Sequence, residues 1–514
     1  RRRVNGLKSL ARSAALPVDI ASLVFFRIAF GSLMAMWAWD YLASGRVTAI
    51  YVEPAFHFSY TLTPWVKAWP GSGMYWHFVL LFIAALMITA GYCYRVATSV
   101  FAIAFTYFFL IDRSNYQNHY YLTVILAWSL TILPLHRALS VDVWRAPTIR
   151  RDTVDAWCLW LTRFHIGLPY AFGGIAKLTA DWLLGEPMNT MLSAQGNVPI
   201  VGPWLALPGM GLLFSYGGLL LDLAVVPLLL YKPTRLAAYV ACVLFHLTNA
   251  SLFDIHVFPW MMIAATTIFF EPDWPRRLIA KLSGLSPAAS GPMPTVGGMA
   301  EVHVAGDAVE TRALTLERRL LFAFLVLHVI IQLLLPFRHR FYEGDPSWTE
   351  RGHLFAWRMM LRGKTGGVRF YVTDRNAGRT SLVGFQGLLS EEQFGRFSRD
   401  PRMVLQLAHH IGRLERQLNG REVEVRALVM LSLNGRKPEL LVDPNRDLMR
   451  VADAGFHLQR SCPDWILPRK EPLRSEPWRE PLAAWEQLVE IPELVFLASA
   501  PLAKQPDVGS QSGP

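Results

Sequence analysis

Nine apolar runs punctuate the chain, near residues 20–40, 77–94, 96–111, 119–135, 156–178, 209–231, 236–252, 256–270 and 319–336. A helix of about 20 apolar residues crosses a bilayer, and these runs approach that length with polar residues gathered between them. The pattern predicts a polytopic α-helical membrane protein of about nine spans. The third and eighth runs are short, and Asp254 and Pro259 interrupt the 236–270 pair, so one of that pair is a candidate re-entrant segment. From about residue 366 the period changes. VRFYVTD and TSLVGF flank a short glycine turn, and EVRALVML and PELLVD flank Asn434-Gly435, which predicts two β-hairpins. Between them, Met403, Leu405, Leu407, Ile411 and Leu414 recur at helical spacing. The expected organisation is a basic N-terminus (1–19), a transmembrane helical domain (20–336), a C-terminal α+β extramembrane domain (337–502) and a disordered tail (503–514). The stretch 282–311, rich in Pro, Gly, Ala and Ser, reads as a loop.

Charge gives the chain a direction. With the N-terminus inside and nine spans, the inner segments hold eighteen Lys and Arg, and the outer ones before the last span hold only Arg46, Lys67 and Arg113. This is the bias of the positive-inside rule, so the N-terminus is expected to be cytosolic and the C-terminal domain periplasmic or luminal. The same distribution accounts for the net charge of +11 without nucleic acid. A hydrophobic content of 53% requires a bilayer as part of the solvent. The first apolar run is too long for a cleaved signal and reads as a retained anchor. Four cysteines without CxxC spacing indicate neither a zinc site nor a disulfide framework. Between the first two runs, Tyr51, Phe56, Phe58, Tyr60, Trp65, Trp69, Tyr75 and Trp76 suggest a lid on the outer leaflet.

Ionisable residues in spans are functional candidates by default. On this topology Asn118 and His119 open the fourth span from outside, Lys177 closes the fifth, and Asn249 lies near the outer end of the seventh, with His246 one turn deeper. Each also has a plain structural reading. Asn118 suits a helix N-cap, His119 an interfacial side chain, and Lys177 an i, i+4 ion pair with Asp181. A lysine at an apolar boundary can act as a neutral general base, because desolvation disfavours the ammonium. Asn118 and His119 would then supply hydrogen bonds to a developing anion. Arg27, Arg163, His165 and His246 also suit pairing or bonds to backbone carbonyls within the bundle.

The strings GYCYR (91–95), NHYYL (118–122), IAKLTADW (175–182), YGGLLLDL (216–223), FHLTNASLF (245–253), and WT with FAWRMM (348–360) occur in this order. With VRFYVTDRNAGRT and DWILP further on, they resemble the vitamin K-dependent gamma-glutamyl carboxylases and the related horizontally transferred transmembrane (HTTM) domain, from about residue 20 to about 500. The resemblance implies that a lysine deprotonates reduced vitamin K, dioxygen adds, and collapse toward the epoxide generates a strong base. That base takes the γ-proton of a peptide glutamate, and the carbanion takes up carbon dioxide. Lys177 matches the family's catalytic lysine, and Asn118 and His119 its neighbouring asparagine and histidine. His246, Asn249, Trp182, Trp348 and Trp357 are candidate quinone or substrate contacts. The implied co-substrates are phylloquinol or menaquinol, dioxygen and carbon dioxide, with no metal, and the implied partners are membrane lipid and a glutamate-containing exported peptide. The sequence departs from vertebrate members in Ala176 beside Lys177, in Thr179 where they carry an acid, and in a shorter C-terminus. Two other readings share these residues: a quinol epoxidase without carboxylation, and a non-catalytic protein that binds lipid or assists assembly.

Overall fold

In the computed structural model, residues 13–196, 199, 201–253, 255–283, 316–453 and 459–473 are described. The basic residues 1–12, Asp254, most of the 282–311 loop and the 503–514 tail lie outside them. Among the described residues, helices form at all nine predicted positions: α1 (Ala21–Ala43), α2 (Gly73–Ala90), α3 (Tyr94–Ile111), α4 (Asn118–Ile132), α5 (Ala156–Ala176), α6 (Met210–Leu230), α7 (Arg235–Leu252), α8 (Phe258–Thr266) and α9 (Leu316–Leu334). Six of these, α1, α2, α3, α6, α7 and α9 with its continuation to Phe341, are long and apolar enough to cross a bilayer. The chain is therefore a polytopic helical membrane protein. At 15 and 9 residues, α4 and α8 are short. Pro259 starts α8 rather than breaking it, in keeping with its fixed φ and missing donor.

Aromatic side chains fill the centre of the bundle. Trp37 of α1 meets Phe78, Phe105 and Phe108, and the hydroxyls of Tyr41 and Tyr120 share a 2.8 Å hydrogen bond. Buried Arg27 and half-buried Arg163 tie helix ends instead of gathering at a site. Arg27 donates to the carbonyls of Leu135 at 2.8 Å and Leu139 at 2.5 Å, and Arg163 donates to those of Ile268 at 2.9 Å and Phe270 at 3.0 Å. Gly91 ends α2 at φ 63°, and a Cβ there would lie 2.9 Å from the Arg27 guanidinium. Near Arg27, β1 (Pro17–Asp19) pairs antiparallel with β2 (Thr153–Asp155), Val18 opposite Val154.

The C-terminal region is a four-stranded antiparallel sheet of order β4-β3-β5-β6, with β3 at Lys364–Asp374, β4 at Arg379–Leu382, β5 at Val423–Leu433 and β6 at Glu439–Leu440. Helices α10 (Glu391–Phe397) and α11 (Pro401–Asn419) accompany it. Val404, Leu407 and Ile411 of α11 share a buried core with Phe370, Val425 and Val429 of the sheet. Both predicted hairpins are present, but the second pairs over only two residues of β6, since Val442 instead bridges to Ile466.

The aromatic loop between α1 and α2 differs from a simple lid. Phe58 is fully buried against Phe397 at 5.8 Å, Phe56 stacks on His410 at 4.4 Å, and Gln393 and Gln406 donate to the carbonyls of Phe56 and Ser59. Trp65, Trp69 and Trp76 remain exposed. Half of the loop thus fastens the sheet domain to the bundle, because side chains from α10 and α11 satisfy its backbone. The buried Arg113–Asp400 pair at 2.6 Å strengthens that seam.

A second buried charge group lies at the start of β3. Glu350 accepts from Arg362 at 2.6 Å and from Lys364, fully buried, at 2.7 Å. Burial alone would push the Glu350 carboxyl up, but Arg362 and Lys364 hold it down at about 2. Since the folded value lies below the unfolded 4.5, this stability is present above about pH 4.5 and is lost as pH falls toward 2. Glu350→Gln is expected to cost about 3–5 kcal/mol at neutral pH, because it strands a buried ammonium, and to remove this acid-dependent loss. Urea unfolding in detergent across pH checks both effects, and an unchanged pH profile in the variant would refute the assignment.

Candidate functional site

The last turn of α5 reads Gly173-Gly174-Ile175-Ala176, and Lys177 closes it with its N–H directed at the carbonyls of Gly173 (3.2 Å) and Gly174 (3.1 Å). A Cβ on Gly174 would lie 2.7 Å from Leu223, so the glycine allows α6 to approach closely. Facing it, Gly211, Ser215, Gly218 and Asp222 form a buried stripe of small and acidic residues on α6. Lys177 Nζ lies 2.5 Å from Asp222 Oδ2, and both side chains are about 5% exposed. The ammonium also stands 5.1 Å from the centre of the Trp182 ring, whose Nε1 donates to the Ser215 carbonyl at 2.7 Å. Trp182 belongs to a small apolar cluster with Met188, Leu219 and Leu361.

The Lys177–Asp181 pair, the plain structural alternative for this lysine, does not form. Asp181 turns outward to the sheet domain, where it accepts from Arg436 through both oxygens at 2.7 Å and from Asn434 at 2.8 Å. Partial burial would raise its carboxyl, yet these hydrogen bonds hold it below the usual carboxylate range. The reason is geometric: Lys177 ends α5, and Thr179 caps a new short helix at Ala180–Leu183, so the i, i+4 register is broken between the two residues.

The remaining predicted residues fall into two groups. His119, on the first turn of α4, stacks on Phe258 at 5.3 Å, and its buried Nε2 has no hydrogen-bond partner among the described residues. His246 meets the other side of the same region, 6.1 Å from Phe258, and its Nε2 shares a 2.7 Å hydrogen bond with the Tyr170 hydroxyl. Tyr170 precedes Lys177 by two turns of α5, roughly 10 Å along the axis. Asn118 is not the N-cap. Gln117 takes that position, and Asn118 Oδ1 accepts from the Tyr116 hydroxyl at 3.1 Å. Asn249 lies half-buried on α7. Among the described residues, no hydrogen bond or ring contact joins Lys177 to Asn118 or His119.

The FAWRMM segment bridges these groups. Tyr116 accepts from the Phe355 N–H at 2.6 Å, Trp357 packs 5.0 Å from Tyr121, and Met359 reaches the Lys177 side, where it would meet a Cβ on Gly173 at 3.2 Å. Phe355, Trp357 and Met360 all have left-handed φ, at 61°, 55° and 59°. Such strained backbone costs energy at each residue and persists where the surroundings impose it. Trp348, by contrast, lies in the sheet-domain core with its Nε1 bonded to the Leu467 carbonyl at 2.8 Å, away from Lys177. Sequence reasoning passed over Asp222 and Met359. A carboxylate inside an apolar span was the available signal for Asp222, whereas nothing local marked Met359.

Residues 16–274 match the HTTM domain family, and residues 317–472 match the vitamin K-dependent gamma-carboxylase, lumenal domain family. The chain belongs to the vitamin K-dependent gamma-carboxylase family. No solved structure matches it. The helical bundle carrying Lys177, Asp222, His119 and His246 falls within the HTTM match. The sheet domain with Met359, Asn434 and Arg436 falls within the lumenal-domain match.

The Asp181–Arg436 contact therefore ties the family's two regions together four residues beyond Lys177. A double-mutant cycle of Asp181→Asn and Arg436→Gln, read by thermal unfolding in detergent, is expected to give a coupling of about 1–3 kcal/mol. Additive effects would mean that the pair does not hold the domains.

Proposed function

We propose that the protein is a vitamin K-dependent gamma-glutamyl carboxylase-like membrane enzyme in which Lys177 is the general base. The observation that carries this reading is the Lys177 amine, beside Trp182 at the last turn of α5 and 2.5 Å from Asp222, with both side chains buried. What supports a quinol headgroup here is the Trp182 ring beside Lys177, the Phe258 ring beside His119, and the buried Nε2 of His119 and Nδ1 of His246, which among the described residues have no partner and could meet quinol oxygens. Reduced vitamin K, as phylloquinol or menaquinol, supplies together with dioxygen the strong base that takes the γ-proton of a peptide glutamate, after which carbon dioxide adds.

The chain's own part is proton handling, placement and the exclusion of water. To act, Nζ must carry a lone pair. A hydroxyl O–H bond of the quinol then breaks as an N–H bond forms at Nζ, and Asp222 holds the ammonium in place. Asp222 is thus a positioning residue. Asn118, His119, His246, Asn249, Trp182 and Trp357 are the side chains assigned to hold quinol or substrate, while Trp348 supports the sheet domain above them. The packed segment Phe355–Leu361 keeps water from the lysine. The topology that fits this chemistry has nine spans, a cytosolic N-terminus and an outward-facing sheet domain from about residue 337, where an exported peptide arrives. The charge bias along the sequence supports this orientation.

The test measures epoxide formation from reduced vitamin K by purified full-length protein, with a glutamate-containing peptide and labelled bicarbonate. Lys177→Ala is expected to lower epoxide formation by about 10²–10⁴-fold, with label entering the peptide only in the wild type. Asp222→Asn is expected to lower kcat, because the amine loses the carboxylate that positions it, and Asp222→Glu should restore part of the rate. Epoxide without label would favour a quinol epoxidase. A folded protein that turns over no reduced quinone would sink the enzymatic reading.

A further inference from the structure

Beside the last turn of α5, a cleft of about 130 Å3 opens between Phe172, Ile175, Ala176, Leu178 and Thr179 and the segment from Pro336 to Arg340, and Ala356 and Arg358 also line it. Its chemistry is divided. One part is apolar, and Ile175 and Leu178 continue it onto the exposed surface of the bundle, at 40% and 57% exposure. The other part is basic. His339, Arg340 and Arg358 line it, and no Asp or Glu does.

The two arginines are short of anions. Arg358 is 5% exposed; among the described residues its one hydrogen bond is to the Ser347 hydroxyl and its buried Nε has no partner, while Asp345 and Glu350 act on it electrostatically without a hydrogen bond. Arg340 is exposed and makes no hydrogen bond or ion pair with the described residues. The nearby carboxylates are already committed, Glu350 to Arg362 and Lys364, and Asp345 to Arg469 at 3.2 Å. A buried guanidinium facing a cleft without an acid leaves one side of the ion pair to be supplied by a ligand.

We propose that this cleft binds an anionic phospholipid of the surrounding leaflet, with its phosphate between Arg340 and Arg358 and its acyl chains running out along Ile175, Leu178 and Phe337. The volume suits a phosphate and not a whole lipid, which fits a site that holds the headgroup and leaves the chains in the bilayer. The guanidinium fork matches phosphate oxygens, while the apolar half of the cleft selects a lipid over a soluble ion. Neither Lys177 nor Asp222 lines this cleft, so the proposal stands whether or not the quinol reading does.

The test reconstitutes the full-length protein in vesicles of phosphatidylcholine and phosphatidylglycerol, extracts it in mild detergent and measures the lipid retained by mass spectrometry. Wild type is expected to enrich phosphatidylglycerol over phosphatidylcholine, and Arg340→Gln to lower that enrichment about fivefold. Lys67→Gln, which removes an exposed cation from the loop between α1 and α2, is expected to leave it unchanged. Phosphatidylglycerol should raise the unfolding temperature of wild type more than that of Arg340→Gln. Equal retention of the two lipids, or equal losses in Arg340→Gln and Lys67→Gln, would overturn the proposal. So would inorganic phosphate stabilising wild type as much as phosphatidylglycerol does, since the cleft would then be a site for a soluble ion.

Discussion

A lysine and an aspartate buried 2.5 Å apart inside a bundle of apolar helices limit what the rest of the molecule can do. Either charge alone would cost several kcal/mol in this environment, so each requires the other. Their meeting requires α5 and α6 to touch at one register, which Gly174 permits from one helix and the Gly211–Asp222 stripe from the other. It also requires a roof. Trp182 and Met359 supply it, the first from the turn after Lys177 and the second from a segment of the sheet domain.

The protein uses two kinds of cation inside its membrane region, and their chemistry divides the work. Arg27 and Arg163 spread planar guanidinium groups over clusters of helix-end carbonyls, where a group that does not lose its proton is the right tie. Lys177 faces a carboxylate and an aromatic ring. An amine can release and regain a proton in such a setting, which an arginine cannot. The residue type at each buried position thus separates structural ties from the group suited to move protons.

The helical layout was legible because a membrane span declares itself by composition and length, and every predicted run is a helix among the described residues. The hairpins were legible because alternation and an Asn-Gly turn are local signals, and Asn434 takes the left-handed φ of 52° that such a turn needs. The partners of the site residues were less so. Asp181, four residues after Lys177, looked like its mate only if one helix ran through both, and the cap at Thr179 ends that helix. Asp222 is 45 residues from Lys177, and only the packing of α5 on α6 brings them together. Trp348 and Trp357 sit nine residues apart in one matched stretch, yet one enters the sheet-domain core and the other the bundle core. Left-handed backbone at Phe355, Trp357 and Met360 turns the chain between them, and no side-chain pattern encodes that turn.

That same stretch joins the membrane bundle to the sheet domain. Phe355 is pinned beside Asn118 through Tyr116, and Met359 lies against the last turn of α5, so the six residues from 355 to 360 span the distance between the two groups of candidate residues. The sheet domain holds the far end through Asn434, which accepts from the Gly363 N–H at 2.7 Å while donating to Asp181. One asparagine at a hairpin turn therefore touches both the strained segment and the turn that follows the lysine. A rigid sheet can hold a strained loop in place at little further cost, whereas a free loop would relax toward ordinary φ values and open the lysine to water. The sheet domain thus helps shape the surroundings of Lys177 and is not an appendage to the bundle.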